Sequence, residues 1–295
     1  MEESLRFLES PRNGIDNEKL LEKTAILTIS ITFSLTLSVF PFYLFLYLKN
    51  RQRDKNKPVS QITSFFHTSI FIFYTLFILQ SISMYVYDFI KDNIFLSLLF
   101  ATLYIAPTLI LGSFSQVNQC ILIIFAWQKF LFYFIPNAEK YLKISNKALR
   151  RIAVLLLFPF FVDVYISNLC IDSRQEPYLN FLVMGVSGVL NGSLVVLTIG
   201  YFILLISIRN SKDSNNPKKL KLSQKYLFWM LFVFYLVKVI IATISYFLFL
   251  HDHLLYITII DRVATVLITP LVIELVYIIC NFQDFNCQKR RIRPT

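Results

Sequence analysis

The chain has 295 residues, of which 56% are hydrophobic, 16% aromatic and 16% charged, and its formal net charge is +11. A soluble domain is about 45–50% apolar and about 25% charged; here the apolar excess lies in blocks too long and too uniform for the amphipathic helices of a soluble core. The positive charge would suit a nucleic-acid partner, but its placement along the chain excludes one.

The blocks, in chain order, are Thr24–Leu48, Pro58–Tyr87, Ile94–Gln128, Ile152–Ile171, Tyr178–Ile208, Tyr226–Leu250 and Leu254–Asn281. Strands of a membrane barrel would be about ten residues long and alternate apolar with polar, so these are helices. The expected fold is an all-α membrane protein, a seven-transmembrane bundle over residues 24–281. A short N-terminal segment (1–23) and a short basic tail (282–295) flank it. The first block reads as a retained span and not a cleaved signal peptide. Its apolar run is too long, and acids outnumber bases in the residues before it.

Basic residues mark one side of every second connection. The segments Lys49–Lys57, Lys129–Arg151, Arg209–Lys225 and Gln288–Thr295 hold 5, 6, 6 and 4 Lys or Arg. The N-terminal segment and the connections after blocks two, four and six hold 4, 1, 1 and 0. By the positive-inside rule the N-terminus is outside and the tail cytoplasmic.

The third block is the anomaly. Ile94–Gln128 is 35 residues without a charge, roughly 52 Å of helix against a hydrocarbon core of about 30 Å. Its flanks lie on opposite sides, so it crosses once and its surplus lies at the ends. Lys129 then stands at the cytoplasmic mouth, with "FLFYFIP" expected to lie along the interface until Pro136 breaks the run.

Cys120, Cys170, Cys280 and Cys287 form no disulfide framework: Cys120 and Cys170 fall on opposite sides of the bilayer, too far apart to bridge. Cys287, just before Lys289, Arg290 and Arg291, is a candidate for palmitoylation. The sequon Asn191-Gly192-Ser193 is mid-membrane and out of reach of glycosylation. Gly185, Gly188 and Gly192 share a face of helix five, which suggests close helix packing. His67 has no companion at metal spacing, and His251 and His253 read as a solvated loop. With no HExxH, paired CxxC, GxGxxG or P-loop present, nothing argues for an enzyme, a cofactor or a metal site.

Five charges lie inside spans: Asp163, Lys238, Asp261, Arg262 and Glu274. A lone charge there costs at least about 2.5–3.5 kcal/mol and is usually paired or functional. Lys238 sits near the midplane. Measured from the inner block ends it is five residues, or about 7–8 Å, above Glu274. The expected arrangement is a Lys238–Glu274 pair acting as a switch below an outer pocket. Asp261 and Arg262 would lie nearer the ligand, and Asp163 is the alternative partner.

Three stretches carry a family resemblance: "FPFYLFLYLKNRQRDKNK" (40–57), "NQCILIIFAWQKFLFYFIPNAEK" (118–140) and "TPLVIELVYIICN" (269–281). With the topology, they make the chain similar to the nematode serpentine receptors of class Z over nearly its whole length. The resemblance implies a G-protein-coupled chemoreceptor in the plasma membrane, with a sensory cilium as a candidate location, and with an unknown small-molecule ligand and a heterotrimeric G protein as partners. Trp127-Gln128-Lys129-Phe130 occupies the place of the acidic-Arg-aromatic motif of rhodopsin-like receptors. Lys129 stands where the family more often has Arg and cannot make that residue's bidentate contacts. Helix seven has Pro270 but Ile273 in place of Tyr three residues on, and Tyr277 follows. The implied coupling residues are Gln128 and Lys129, with Lys218, Lys219, Lys221 and Lys225 in the third inner loop. A seven-helix ligand-gated channel would have its basic loops on the opposite parity. A transporter would show an internal repeat or matching broken helices, and neither is seen.

Overall fold

Each apolar block folds as a single helix, because a backbone surrounded by lipid has only its own carbonyls to bond. In the computed structural model, residues 12–54, 59–90, 94–135, 144–172, 177–210, 222–249 and 254–291 are described. They form seven helices and no strand: α1 (Arg12–Asp54), α2 (Val59–Ile90), α3 (Ile94–Phe134), α4 (Asn146–Asp172), α5 (Pro177–Asn210), α6 (Leu222–Phe249) and α7 (Leu254–Arg291). Six contain a run long and apolar enough to cross a membrane: Ser30–Gln52, Ser60–Ser83, Ile105–Phe132, Met184–Ile206, Gln224–Ile241 and Asp261–Asn281. The other, α4, has 27 residues, about 40 Å of helix and enough to span.

The bundle is built around α3, which touches α2, α4, α5, α6 and α7, while α1 packs mainly on α7. Val117, Ile121, Leu122 and Ala126 of α3 are fully buried and meet Leu197 and Tyr201 of α5, Leu227 and Met230 of α6, and Val276 of α7 in one core. Large apolar side chains also cover the outer surface. Phe42, Leu155, Phe158 and Val189 are 69–75% exposed, an arrangement that suits acyl chains and not water. Hydroxyls on the helices bond back to the preceding turn, as Ser34, Ser38, Thr75 and Ser81 do, which satisfies them without a partner helix. The protein is an integral membrane protein.

Three expectations change. α3 does not turn aside after Lys129: it runs on as helix to Phe134, and Ile135 N–H still donates to the Leu131 carbonyl at 2.9 Å. The continuation is held because Phe130 is a packing residue, 5.9 Å from the Tyr201 ring. The glycine stripe of α5 is not a packing seam. A Cβ at Gly185, Gly188 or Gly192 would meet nothing within 4 Å. Ser187 and Asn191 point into the bundle, and helical geometry turns the glycines on average roughly 110° away from them, onto the exposed side. Close approach occurs instead at Gly112, where a Cβ would lie 3.1 Å from Val164 of α4, and at Gly200, 3.2 Å from Phe130. Finally, α1 begins at Arg12, twelve residues before the apolar block.

Candidate ligand site

Polar residues buried among apolar helices must find one another, and here they gather at one level. α7 supplies Asp261 and Arg262 in succession, about 100° apart around the helix, so that they reach different neighbours. Asp261 accepts two hydrogen bonds from Lys238 Nζ of α6, at 2.9 and 3.1 Å. It also accepts one from Asn191 Nδ2 of α5 at 3.2 Å, and Asn191 Oδ1 in turn accepts from Gln119 Nε2 of α3. Arg262 turns the other way. Its NH1 and NH2 meet the two oxygens of Asp163 on α4 at 2.8 and 3.2 Å, a two-pronged contact, and its Nε donates to Ser187 Oγ. Gln116 Nε2 of α3 also donates to this carboxylate, at 3.0 Å. Two ion pairs and four neutral polar groups thus join α3, α4, α5, α6 and α7.

Beside this network lies a cavity of about 280 Å³ at the end of the bundle that carries the α6–α7 connection. Lys238, Asp261 and Arg262 line one part of it; Phe77, Leu111, Val164, Leu190 and Val266 form apolar walls. Gln80, Thr108, Gln116, Gln119, Asn191 and Thr265 supply uncharged polar edges. No group of three or more possible metal ligands occurs among the described residues.

The expected Lys238–Glu274 pair does not form, and Asp163 is not the alternative partner. Lys238 pairs with Asp261 and Asp163 with Arg262. The reason is register. Inner block ends are poor rulers, because α7 runs on past Asn281 to Arg291. The short α6–α7 connection is a better one. Lys238 is eleven residues before the end of α6, whereas Asp261 is seven and Glu274 twenty after the start of α7. The offsets are four and nine residues, or about 6 and 13 Å. Only the first is within reach of a lysine stem. Glu274 is instead fully buried against α2, where Tyr74 OH donates to its Oε1 at 2.9 Å and lies 3.2 Å from the Thr36 carbonyl of α1.

At the opposite end, His67 has a partner, but it is not a metal: its Nδ1 lies 3.0 Å from Tyr43 OH, and its ring stacks on Tyr47 at 3.4 Å. Asn50 donates to Asn281, tying α1 to α7. Gln128 is buried, while Lys129 is half-buried with its ammonium 4.9 Å from the Phe132 ring. Lys225 lies in the first turn of α6 and is exposed. Lys218, Lys219, Lys221, His251 and His253, and the side chains of Cys170 and Cys287, lie outside the described residues. Cys120 and Cys280 form no disulfide.

The sequence reading missed Gln116, Gln119, Asn191, Ser187 and Tyr74. Gln116 and Gln119 carried a signal: two amides inside a 35-residue charge-free run each need a partner. In the sequence Asn191 stands out only as part of an unusable sequon.

A seven-helix membrane bundle with a polar-edged cavity toward one end and a basic opposite end is the architecture of a serpentine receptor. The family profile described as serpentine type 7TM GPCR chemoreceptor Srz matches residues 26–282. The chain belongs to that family of membrane chemoreceptors. No curated protein and no solved structure matches it.

Proposed function

We propose that this chemoreceptor binds a small molecule in the cavity beside Lys238, Asp261 and Arg262, with the N-terminus and the α6–α7 connection outside the cell and a heterotrimeric G protein engaged at the opposite end. The observation that carries the reading is the pair of salt bridges at the cavity, which link α7 to α6 and to α4. A ligand that contacts them bears on the relative positions of three helices at once. It biases the bundle only by its differential affinity for the inactive and active packings. Asp163, Lys238, Asp261 and Arg262 form the ligand-proximal set, and Glu274, held by Tyr74, is the switch contact deeper in the bundle. Gln128, Lys129 and the bases Lys218, Lys219, Lys221 and Lys225 form the coupling face, with Cys287 a candidate for palmitoylation there. The plasma membrane is the site of action.

Epitope accessibility tests the orientation. A tag before Met1 should be stained on intact cells, and a tag after Thr295 only after permeabilisation. The reverse result would sink the receptor reading and favour a channel. The coupling face is tested by Lys129→Ala. The cation–π contact it removes is worth about 0.5–1 kcal/mol, so surface expression should stay near normal. Signalling, read as second-messenger output of the receptor above that of cells lacking it at matched surface expression, should fall several-fold. Unchanged signalling would leave Lys129 as an interfacial anchor.

A further inference from the structure

The charges at the cavity are already balanced. Two cations, Lys238 and Arg262, face two anions, Asp261 and Asp163, and each pair is closed by two short contacts within the protein. Side-chain exposures of 4–15% leave these groups little access to water. A carboxylate or an amine that enters such a site brings a charge with no free counter-charge. It must either stay unpaired or break an existing pair and orphan its partner. Either route costs roughly a hundredfold in affinity, from the membrane-insertion cost of one lone charge. Uncharged groups meet no such barrier, and the remaining lining is suited to them: apolar walls with amide and hydroxyl edges. A volume of about 280 Å³ lies at the low end for small-molecule pockets and holds roughly ten to fifteen non-hydrogen atoms.

We propose that the cavity takes an uncharged organic molecule of that size, apolar over most of its surface with one or two hydrogen-bonding groups, and that the two salt bridges act as a charge filter against acids and amines. The inference rests on the reading of the cavity as the ligand site. It assigns Gln80, Gln119 and Asn191 the polar contacts of recognition.

The test uses the full-length receptor in lipid nanodiscs, its thermal unfolding, and four probes of one shape: 2-phenylethanol, phenylacetamide, phenylacetate and 2-phenylethylammonium. The two neutral probes should raise Tm by roughly 2–4 °C at several times their Kd, and the two charged ones should not. Leu190→Trp, which fills the cavity, should abolish the neutral shift. A shift that survives it reports partitioning into the bilayer and overturns the proposal. Asp261→Asn leaves Lys238 without its counter-ion and should make phenylacetate the stabilising probe. Lys238→Met is the mirror variant and should select 2-phenylethylammonium, so one folded variant suffices. If phenylacetate or 2-phenylethylammonium stabilises the unsubstituted receptor as well as the neutral pair does, the filter is wrong and the ligand site stands. If no probe acts on the receptor or on either charge variant, the ligand site itself falls.

Discussion

Arg262→Met should destabilise the receptor by about 3–5 kcal/mol and remove most of its surface expression, because it leaves Asp163 buried and without its cation. Asp163 is 4% exposed and accepts from both Arg262 and Gln116, so the surviving amide would face a carboxylate it cannot neutralise. The double variant Asp163→Leu with Arg262→Met removes both charges. Replacing a buried ion pair by apolar groups of similar size is often neutral or stabilising, so expression should return to near the unsubstituted level. Signalling should not return, since the link from α7 to α4 is gone. Surface staining together with thermal unfolding of the purified protein separates the two effects. A double variant as poorly expressed as Arg262→Met would show that the cost lay in lost packing and not in an orphaned charge.

The second large effect concerns which acid holds Lys238. Lys238→Glu places a second carboxylate against Asp261 and should abolish expression. Adding Asp261→Lys restores an ion pair with its sense reversed, and should recover most of it. Recovery will be incomplete, because Asn191 donates to Asp261 with its Nδ2 while its Oδ1 accepts from Gln119. Turning that amide to face a lysine breaks the link to α3. Lys238→Glu with Glu274→Lys should recover nothing, since Glu274 lies about 13 Å away in helical register and is bonded to Tyr74. A double-mutant cycle on expression or Tm reads the coupling directly. Rescue by the Glu274 exchange, or none by the Asp261 exchange, would overturn the pairing.

The five intramembrane charges were legible as a group, because each is costly alone in lipid and must have company. Which acid met which base was not. Pairing depends on depth and rotation together. Depth taken from the edges of apolar blocks carries an error of several residues, enough to move a partner from Asp261 to Glu274. The same uncertainty misplaced the glycines: a stripe of small residues is visible in sequence, but its direction is set by whatever else the helix must bury. On α5 that was Ser187 and Asn191, which turn toward Arg262 and Asp261. Tyr74 illustrates the limit from the other side. A tyrosine in an apolar run gives no sign that its hydroxyl will meet a carboxylate 200 positions away.

What the sequence determined by itself was the class of protein, the number of helices and the family. These depend on composition over windows of twenty residues, and each helix satisfies its own backbone whatever its neighbours do. The orientation is argued from sequence as well, from the alternation of bases between connections. Only the tertiary structure decided the two salt bridges, the Tyr74–Glu274 contact, the packing of Phe130 on Tyr201 that carries α3 on to Phe134, and the cavity walls. All of these join residues on different helices. They depend on how each helix is rotated and shifted against the next, and a one-residue change of register turns a side chain about 100° away from its partner.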